Sequence, residues 1–281
     1  MEIKFENVNY NYTKINYEEK KVLSNINFSV KTGTINSIIG PNGCGKTTLL
    51  ELISLLIKPT NGKIKIDQVT ITNKTENLEI VRKKIGYISQ VPIEQFFCDT
   101  VYQELKSILQ MNGYKDDHID KRIHDVLLMV DLEEEKLTSN PNFLSHGEMR
   151  KLAIAEALIL NPKILVLDEP TLNLDSKSKS NFIKLIRLLK NRYGKTIIIA
   201  SHDMDFVHKV SDYIYVLFNQ KIVMQGTKYE IFKDPQKLKK YNLIPPKVML
   251  FSDKVLTKKN IKIGYRDEIN DLLKDIYRYV N

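Results

Sequence analysis

The sequence predicts an α/β fold in which a largely parallel sheet is covered by helices. Two features carry that prediction. Amphipathic stretches repeatedly run into short, wholly apolar strands such as KILVLDEP and KTIIIASHD, whose lack of polar alternation points to burial on both faces. A glycine-rich turn at Gly40 to Thr47 also joins an apolar strand directly to a helical pattern. The 281 residues suit one to two ordinary domains, and 42% hydrophobic with 9% aromatic content supplies a core, which excludes a disordered chain.

Taken in order, residues 2 to 12 alternate loosely and VLSNINFSVKTGTINSIIG offers two strands separated by a Thr32-Gly33 turn. From Lys46 the spacing of Leu49, Leu52, Ile53, Leu56 and Ile57 predicts a helix that Pro59 and Gly62 end. Residues 63 to 71 and 84 to 89 read as strands, and 99 to 111 and 118 to 130 as amphipathic helices forming a helical block. Helices at 146 to 160 and 176 to 192 precede the two apolar strands, and Asp212 to Phe218 with Lys221 to Met224 form a strand pair across Asn219-Gln220. A helix over about 228 to 240, a loop through Pro245-Pro246 and a terminal helix through Ile269, Leu272, Leu273 and Ile276 complete the chain.

Net charge is +9, and residues 221 to 281, with 14 basic and 7 acidic residues, hold +7 of it. Such a bias suits nucleic acid, an anionic membrane surface or an acidic partner alike. Two cysteines, Cys44 and Cys98, exclude a disulfide framework and a four-cysteine metal site, and fit a reducing compartment. The start MEIKFENVNY has no basic region followed by an apolar one, so no secretory leader is expected. No apolar run reaches the roughly 18 residues needed to span a bilayer, so any membrane role is expected to be peripheral.

GPNGCGKT (Gly40 to Thr47) matches G-x-x-x-x-G-K-[ST] between an apolar strand and an amphipathic helix. Gly40, Gly43 and Gly45 let the backbone curl so that amides face phosphates, with the positive end of the helix dipole behind them. Asn42 and Cys44 complete the turn, Cys44 offering its amide and not its thiol. Lys46 is expected on the β/γ-phosphates, Thr47 on Mg²⁺ and Thr48 at the α/β-phosphate end. A turn of this kind needs a carboxylate at a neighbouring strand end. KILVLDEP supplies Asp168 for the metal's water shell and Glu169 to accept a proton from, or orient, the water that attacks the γ-phosphate.

With these motifs in order, the sequence resembles the ATP-binding cassette (ABC) ATPases over about the first 226 residues. The resemblance implies a P-loop NTPase cassette with a RecA-like core, an antiparallel β subdomain, a helical signature subdomain at about 91 to 160 and a small C-terminal extension. It sets the cassette at 1 to 234 and a dimerisation extension at 235 to 281. Walker A is Gly40 to Thr47, Walker B is Ile164 to Glu169, and the signature, usually LSGGQ, is LSHGE at Leu144 to Glu148. Leu174-Asp175 is the D-loop, His202 the switch histidine linking the γ-phosphate to Glu169, and Gln90 the Q-loop residue that senses Mg²⁺ and the attacking water. Tyr12 matches the aromatic that stacks on adenine, with Tyr10 as its alternative.

In this family the Walker A of one cassette and the signature of another close around one ATP, so a single cassette is incomplete. Ser145 and Gly147 are therefore expected to present a hydroxyl and amides to a nucleotide held opposite, and Ser145 also suits a helix N-cap. His146 and Glu148 depart from the usual glycine and glutamine. One reading is that they crowd and charge this half-site, weakening it; the other is that His146 points away or donates to phosphate.

Within the family, QVPIEQFFCDTVYQEL (Gln90 to Leu105) resembles a stretch of energy-coupling factor and cobalt-type importers through Glu94, Gln95, Phe97, Thr100, Val101 and Glu104, although Pro92 and Ile93 depart in order. IPPKVMLFSDKV and NIKIGYRDEINDLL resemble the C-terminal extension of that group. The resemblance implies an ATP-hydrolysing subunit with Mg²⁺, at the cytoplasmic face of the cell membrane, that powers uptake of a vitamin or transition-metal ion. Its implied partners are a second ABC ATPase (a paralogue or a second copy), a transmembrane coupling scaffold and a substrate-binding membrane subunit, with no nucleic acid. Phe96 and Phe97 are either part of a groove for the scaffold's coupling helix or core aromatics. The alternatives are another ABC importer or a soluble ABC protein acting on nucleic acid. The latter needs a long coiled coil between Walker A and B, whereas Lys46 to Asp168 spans only 122 residues without a heptad run.

Overall fold

The computed structural model describes residues 1–13 and 19–259, with 266, 270, 271, 273, 274 and 277 beyond them. The amino-terminal sheet is antiparallel: β1 (Ile3–Thr13), β2 (Glu19–Val30), β4 (Asn61–Ile66) and β5 (Val69–Ile71) lie in the order β2-β1-β4-β5. The second sheet has the order β10-β9-β3-β8-β7-β6, from β3 (Ile35–Ile39), β6 (Ile85–Ile88), β7 (Ile164–Asp168), β8 (Thr196–Ala200), β9 (Tyr213–Phe218) and β10 (Lys221–Thr227). Its ladders are parallel except for the β9–β10 hairpin.

The apolar strands serve two cores at once, because successive side chains point to opposite faces. Leu165, Leu167, Ile197 and Ile199 join a cluster shared with the helices, while Ile164, Val166, Ile198 and Ala200 join one under the antiparallel sheet and α1 (Lys46–Ile53). Beyond α2 (Glu79–Arg82), the helical block consists of α3 (Val101–Met111), α4 (Asp116–Val130) and α5 (His146–Ile159), with short 3₁₀ turns at Pro92–Gln95, Glu134–Thr138 and Pro141–Phe143. α6 (Ser176–Asn191) and α7 (Met204–Val210) cover the same sheet, N-capped by Asp175 and Asp203.

Three of the elements that the sequence predicts come out differently. The helix expected to reach Pro59 stops at Ile53, because Leu55 takes a positive φ of 58° to stay in the core, and Arg82 Nε donates to its carbonyl at 2.9 Å. The strand expected over 63 to 71 is two strands turning at Asp67 (φ 51°), whose carboxylate accepts from Glu2 N–H. The helix expected over 228 to 240 is split into α8 (Lys228–Phe232) and α9 (Pro235–Lys239). Pro235 cannot continue a hydrogen-bonded helix, and Asp234 caps a new one.

Past residue 234 the chain stays anchored. Leu238, Leu243, Val248 and Met249 enter the helix-side core, and Lys247 N–H at the start of α10 (Lys247–Lys259) donates to Asp205 Oδ1 at 2.8 Å. The terminal helix expected through Ile269, Leu272, Leu273 and Ile276 lies largely outside the described residues. No helix among the described residues is long and apolar enough to cross a membrane.

Candidate functional site

The parallel strands end on one edge of the sheet, and the loops that leave them line a cavity of about 650 Å³, within the range of small-molecule and cofactor sites. Tyr12, Asn42, Gly43, Gly45, Lys46, Thr47, Thr48, Gln90, Asp168, Glu169 and His202 all line it. Five separate parts of the chain thus bring most of the sequence-predicted residues together.

The turn after β3 explains its glycines. A Cβ on Gly40 would meet Leu217 O at 2.3 Å, and Gly43 and Gly45 take φ of +75° and +104°. Gly45 is the N-cap of α1, which has no side-chain cap and no acidic residue in its first turn, so its first amides are left to an anion. Gly40 and Cys44 shape the turn without lining the cavity. Burial pushes the Cys44 thiol up, away from the reactive thiolate, and its amide donates to Pro41 O at 3.4 Å.

Lys46 is buried and its Nζ donates to Gly40 O and Pro41 O at 3.0 and 3.2 Å, holding a cation inside the turn. Thr47 Oγ1 donates to Asp168 Oδ2 at 2.7 Å. A hydroxyl and a carboxylate at that separation are the hard oxygen donors Mg²⁺ takes, and Asp168 is raised by burial, offset in part by Thr47. The glycine cradle and this oxygen pair fit a nucleotide phosphate chain with Mg²⁺.

Glu169, at the end of β7, sits at φ 43°, its amide tied to Ala200 O on β8. The strained turn aims its carboxylate at His202, whose amide donates to Oε2 at 3.2 Å and whose Nδ1 stands 2.9 Å from the same oxygen. Tyr12 faces α1: its hydroxyl donates to Glu51 Oε2 at 3.0 Å and lies 3.2 Å from Thr48 Oγ1, and Tyr10 packs edge-on against its ring at 4.9 Å. Tyr12, not Tyr10, lines the cavity.

Sequence reasoning missed Lys20, Lys21, Val22, Leu172 and Gln220 in this lining. Register is what places the lysines, since Lys20 pairs across from Tyr12 and Lys21 from Asn11. The Lys20-Lys21 pair beside a strand was the available signal. Gln220 arrives through the β9–β10 turn, where its carbonyl accepts from Ser24 N–H at 2.8 Å.

Ser145 and Gly147 lie elsewhere. They line a separate cleft of about 210 Å³ together with Leu174, Ser178 and Phe182. Ser145 N-caps α5 in a full capping box: its Oγ accepts from Glu148 N–H at 3.3 Å, and Glu148 Oε2 accepts from Ser145 N–H at 2.8 Å. Lys136 Nζ lies 3.0 Å from the other carboxylate oxygen. The backbone and side chain of Ser145, with Lys136, hold Glu148 down at about 2. The expectation that Glu148 brings a free charge to this face is therefore corrected: the carboxylate is folded back onto the helix start. His146, at the first helical position, is exposed.

Arg150 ties the two regions together. It is buried, lowered to about 10 by desolvation, and its Nη1 and Nη2 donate to Ser89 O and Gln90 O at 3.3 and 3.5 Å. The segment after Gln90 separates the two phenylalanines. Phe96 packs on the core while Phe97 is 87% exposed, its amide and that of Cys98 donating to Oε2 of the buried Glu104 at 3.0 and 2.6 Å.

Comparison with known proteins gives a consistent picture. Residues 23–172 match the family model described as ABC transporter. The chain is 36% identical over 278 residues, 99% of its length and 94% of the relative's, to the energy-coupling factor transporter ATP-binding protein EcfA2 of Clostridium acetobutylicum. It is 37% identical over 249 residues, 88% of its length and 87% of the relative's, to the protein of that name from Clostridium perfringens. Among solved structures it is similar to cbiO1 from Clostridium perfringens, part of the ABC transporter complex cbiONQ, with TM-score 0.76, 32% identity and 89% and 98% of the two chains covered. It is also similar to a dimeric post-hydrolysis ATP-binding cassette bound to ADP and Pi, with TM-score 0.70, 32% identity and 80% and 98% covered.

Proposed function

The chain belongs to the ABC transporter family as an ATP-hydrolysing subunit of the energy-coupling factor type, and from that premise we propose how its own residues divide the work. The observation that carries the proposal is the split between the two regions. Lys46, Thr47, Asp168, Glu169, His202, Gln90 and Tyr12 surround one cavity, while Ser145 opens a helix on a different cleft. A site divided in this way is completed by a second cassette, either a paralogue or another copy, whose signature covers this cavity.

In the closed pair Tyr12 stacks on adenine, the amides of Asn42, Gly43 and Gly45 with Lys46 hold the phosphates, and Thr47 and Asp168, with Gln90 lining the same cavity, would hold Mg²⁺. When bound, that ion neutralises charge on the β- and γ-phosphate oxygens. Glu169 orients the attacking water and takes its proton, and His202, already against Glu169, fixes the carboxylate and faces the γ-phosphate. Hydrolysis yields ADP and phosphate and lets the pair reopen.

The subunit works peripherally at the cytoplasmic face of the membrane, beside a transmembrane scaffold and a membrane subunit that binds a vitamin or transition-metal ion. Phe97, held outward by Glu104, is the contact offered to the scaffold. Residues 235 to 281 form the dimerisation extension, anchored to the cassette by Leu238, Leu243, Val248 and Met249.

Purification in mild detergent tests the assembly: a second cassette and an integral membrane scaffold are expected to travel with this chain. A soluble assembly retaining DNA would overturn the reading. Cross-linking from position 97 is expected to capture the scaffold in at least one nucleotide state, whereas position 96 is not.

A further inference from the structure

LSHGE carries a carboxylate where the motif it resembles carries a neutral amide, and the structure shows where that charge goes. Glu148 Oε2 accepts from Ser145 N–H at 2.8 Å, and its other oxygen lies 3.0 Å from Lys136 Nζ. Lys136 comes from the 3₁₀ turn Glu134–Thr138, outside the signature in sequence, and both side chains are about one-third exposed or less (33% and 27%). Glu148 N–H in turn donates to Ser145 Oγ, so the hydroxyl acts there as acceptor and its proton is directed elsewhere.

We propose that Lys136 is a positioning residue of the signature half-site. Its ammonium cancels the Glu148 charge and pins that carboxylate in the capping box, so that the Ser145 hydroxyl and the α5 start meet the phosphates of a nucleotide held by the opposing cassette without a repelling anion beside them. This rests on the two-cassette reading above. An anion a few ångströms from a triphosphate repels it, and the positive end of a helix attracts it. Lys136 removes the first effect and leaves the second.

The test is ATP hydrolysis by the full complex carrying Lys136→Met, Glu148→Gln, or both. Lys136→Met is expected to lower kcat/KM for MgATP about three- to fivefold, the scale of a partly exposed ion pair. The loss is expected mainly in KM, to shrink as salt rises and to be restored by Lys136→Arg. In the Glu148→Gln background, where no charge needs cancelling, Lys136→Met is expected to change kcat/KM less than twofold. An equal loss in both backgrounds, or no loss in either, overturns the proposal. Failure of the underlying reading looks different: the unmodified complex would not hydrolyse ATP, or Ser145→Ala would leave its rate untouched.

Discussion

The two phosphate-facing regions of this chain are built on opposite plans. The Walker cavity is made by loops that leave buried parallel strands, and its groups are locked by the sheet: Thr47 to Asp168 at 2.7 Å, Glu169 to Ala200 O, Lys46 to the turn's own carbonyls. The signature region is the exposed start of one helix, held by a capping box and one ion pair. Rigid scaffolding suits groups that must meet the reacting atoms to within a fraction of an ångström. A surface that docks only when two cassettes meet needs to be charge-correct and is otherwise free to be mobile.

The largest expected effect lies on the Walker side. Glu169→Gln should lower turnover by about 10²- to 10⁴-fold, the usual contribution of a general base, while ATP still binds. Light scattering with MgATP should then show a lasting pair of cassettes. An unimpaired rate would remove Glu169 from its role and blur the contrast between the regions. Next, Gly40→Ala puts a methyl 2.3 Å from Leu217 O and should destabilise the fold by about 1–3 kcal/mol, read as a lower midpoint in urea. The corresponding change in the signature, Gly147→Ala, meets only Ser178 Oγ at 3.5 Å and should leave that midpoint nearly unchanged. Similar losses at both would erase the difference in packing.

Much of this was legible in the sequence because the Walker residues are tied to backbone geometry. Gly40, Gly43 and Gly45 are needed by a close approach or a positive φ, and Asp168 and Glu169 follow an apolar strand whose end is fixed by the sheet. The misses have a common cause. Leu56 and Ile57 look helical by spacing, but the helix ends before them, where Leu55 takes a positive φ and its carbonyl is bonded by Arg82, 27 residues later. Lys20 and Lys21 reach the cavity only through the register of β2 on β1, and Lys136 meets Glu148 only because a 3₁₀ turn outside the signature brings its ammonium to the start of α5. Spacing along the chain reports local periodicity, and partners far apart in sequence lie beyond it. The split at Asp234-Pro235 is a miss of another kind, because the helix expected over 228 to 240 ran through an aspartate followed by proline, which is itself a cap signal.

The smallest effect compares two carboxylates eight residues apart on α5, one at each end of this contrast. Glu148 is held down at about 2 by its capping bonds and by Lys136; Glu156 is pushed up to about 9 by burial, with Glu104 adding repulsion, and its Oε1 is buried without a partner. The signs differ. A depressed carboxylate contributes stability above its unfolded value of about 4.5, and that contribution is lost as pH falls toward 2. A raised one favours the folded state below about 4.5 and loses that contribution as pH climbs to about 9. Glu156→Gln should therefore flatten the decline in melting temperature between pH 5 and 9 and stabilise the protein at pH 8 by about 1 kcal/mol, because the amide removes an ionisation that at that pH favours the unfolded chain while the folded Glu156 stays protonated. Glu148→Gln should instead lower stability above about pH 4.5, with the difference from the parent vanishing as pH falls toward 2. If the two variants' differences from the parent change over the same pH window, the helix does not divide its charges between a solvated cap and a buried face.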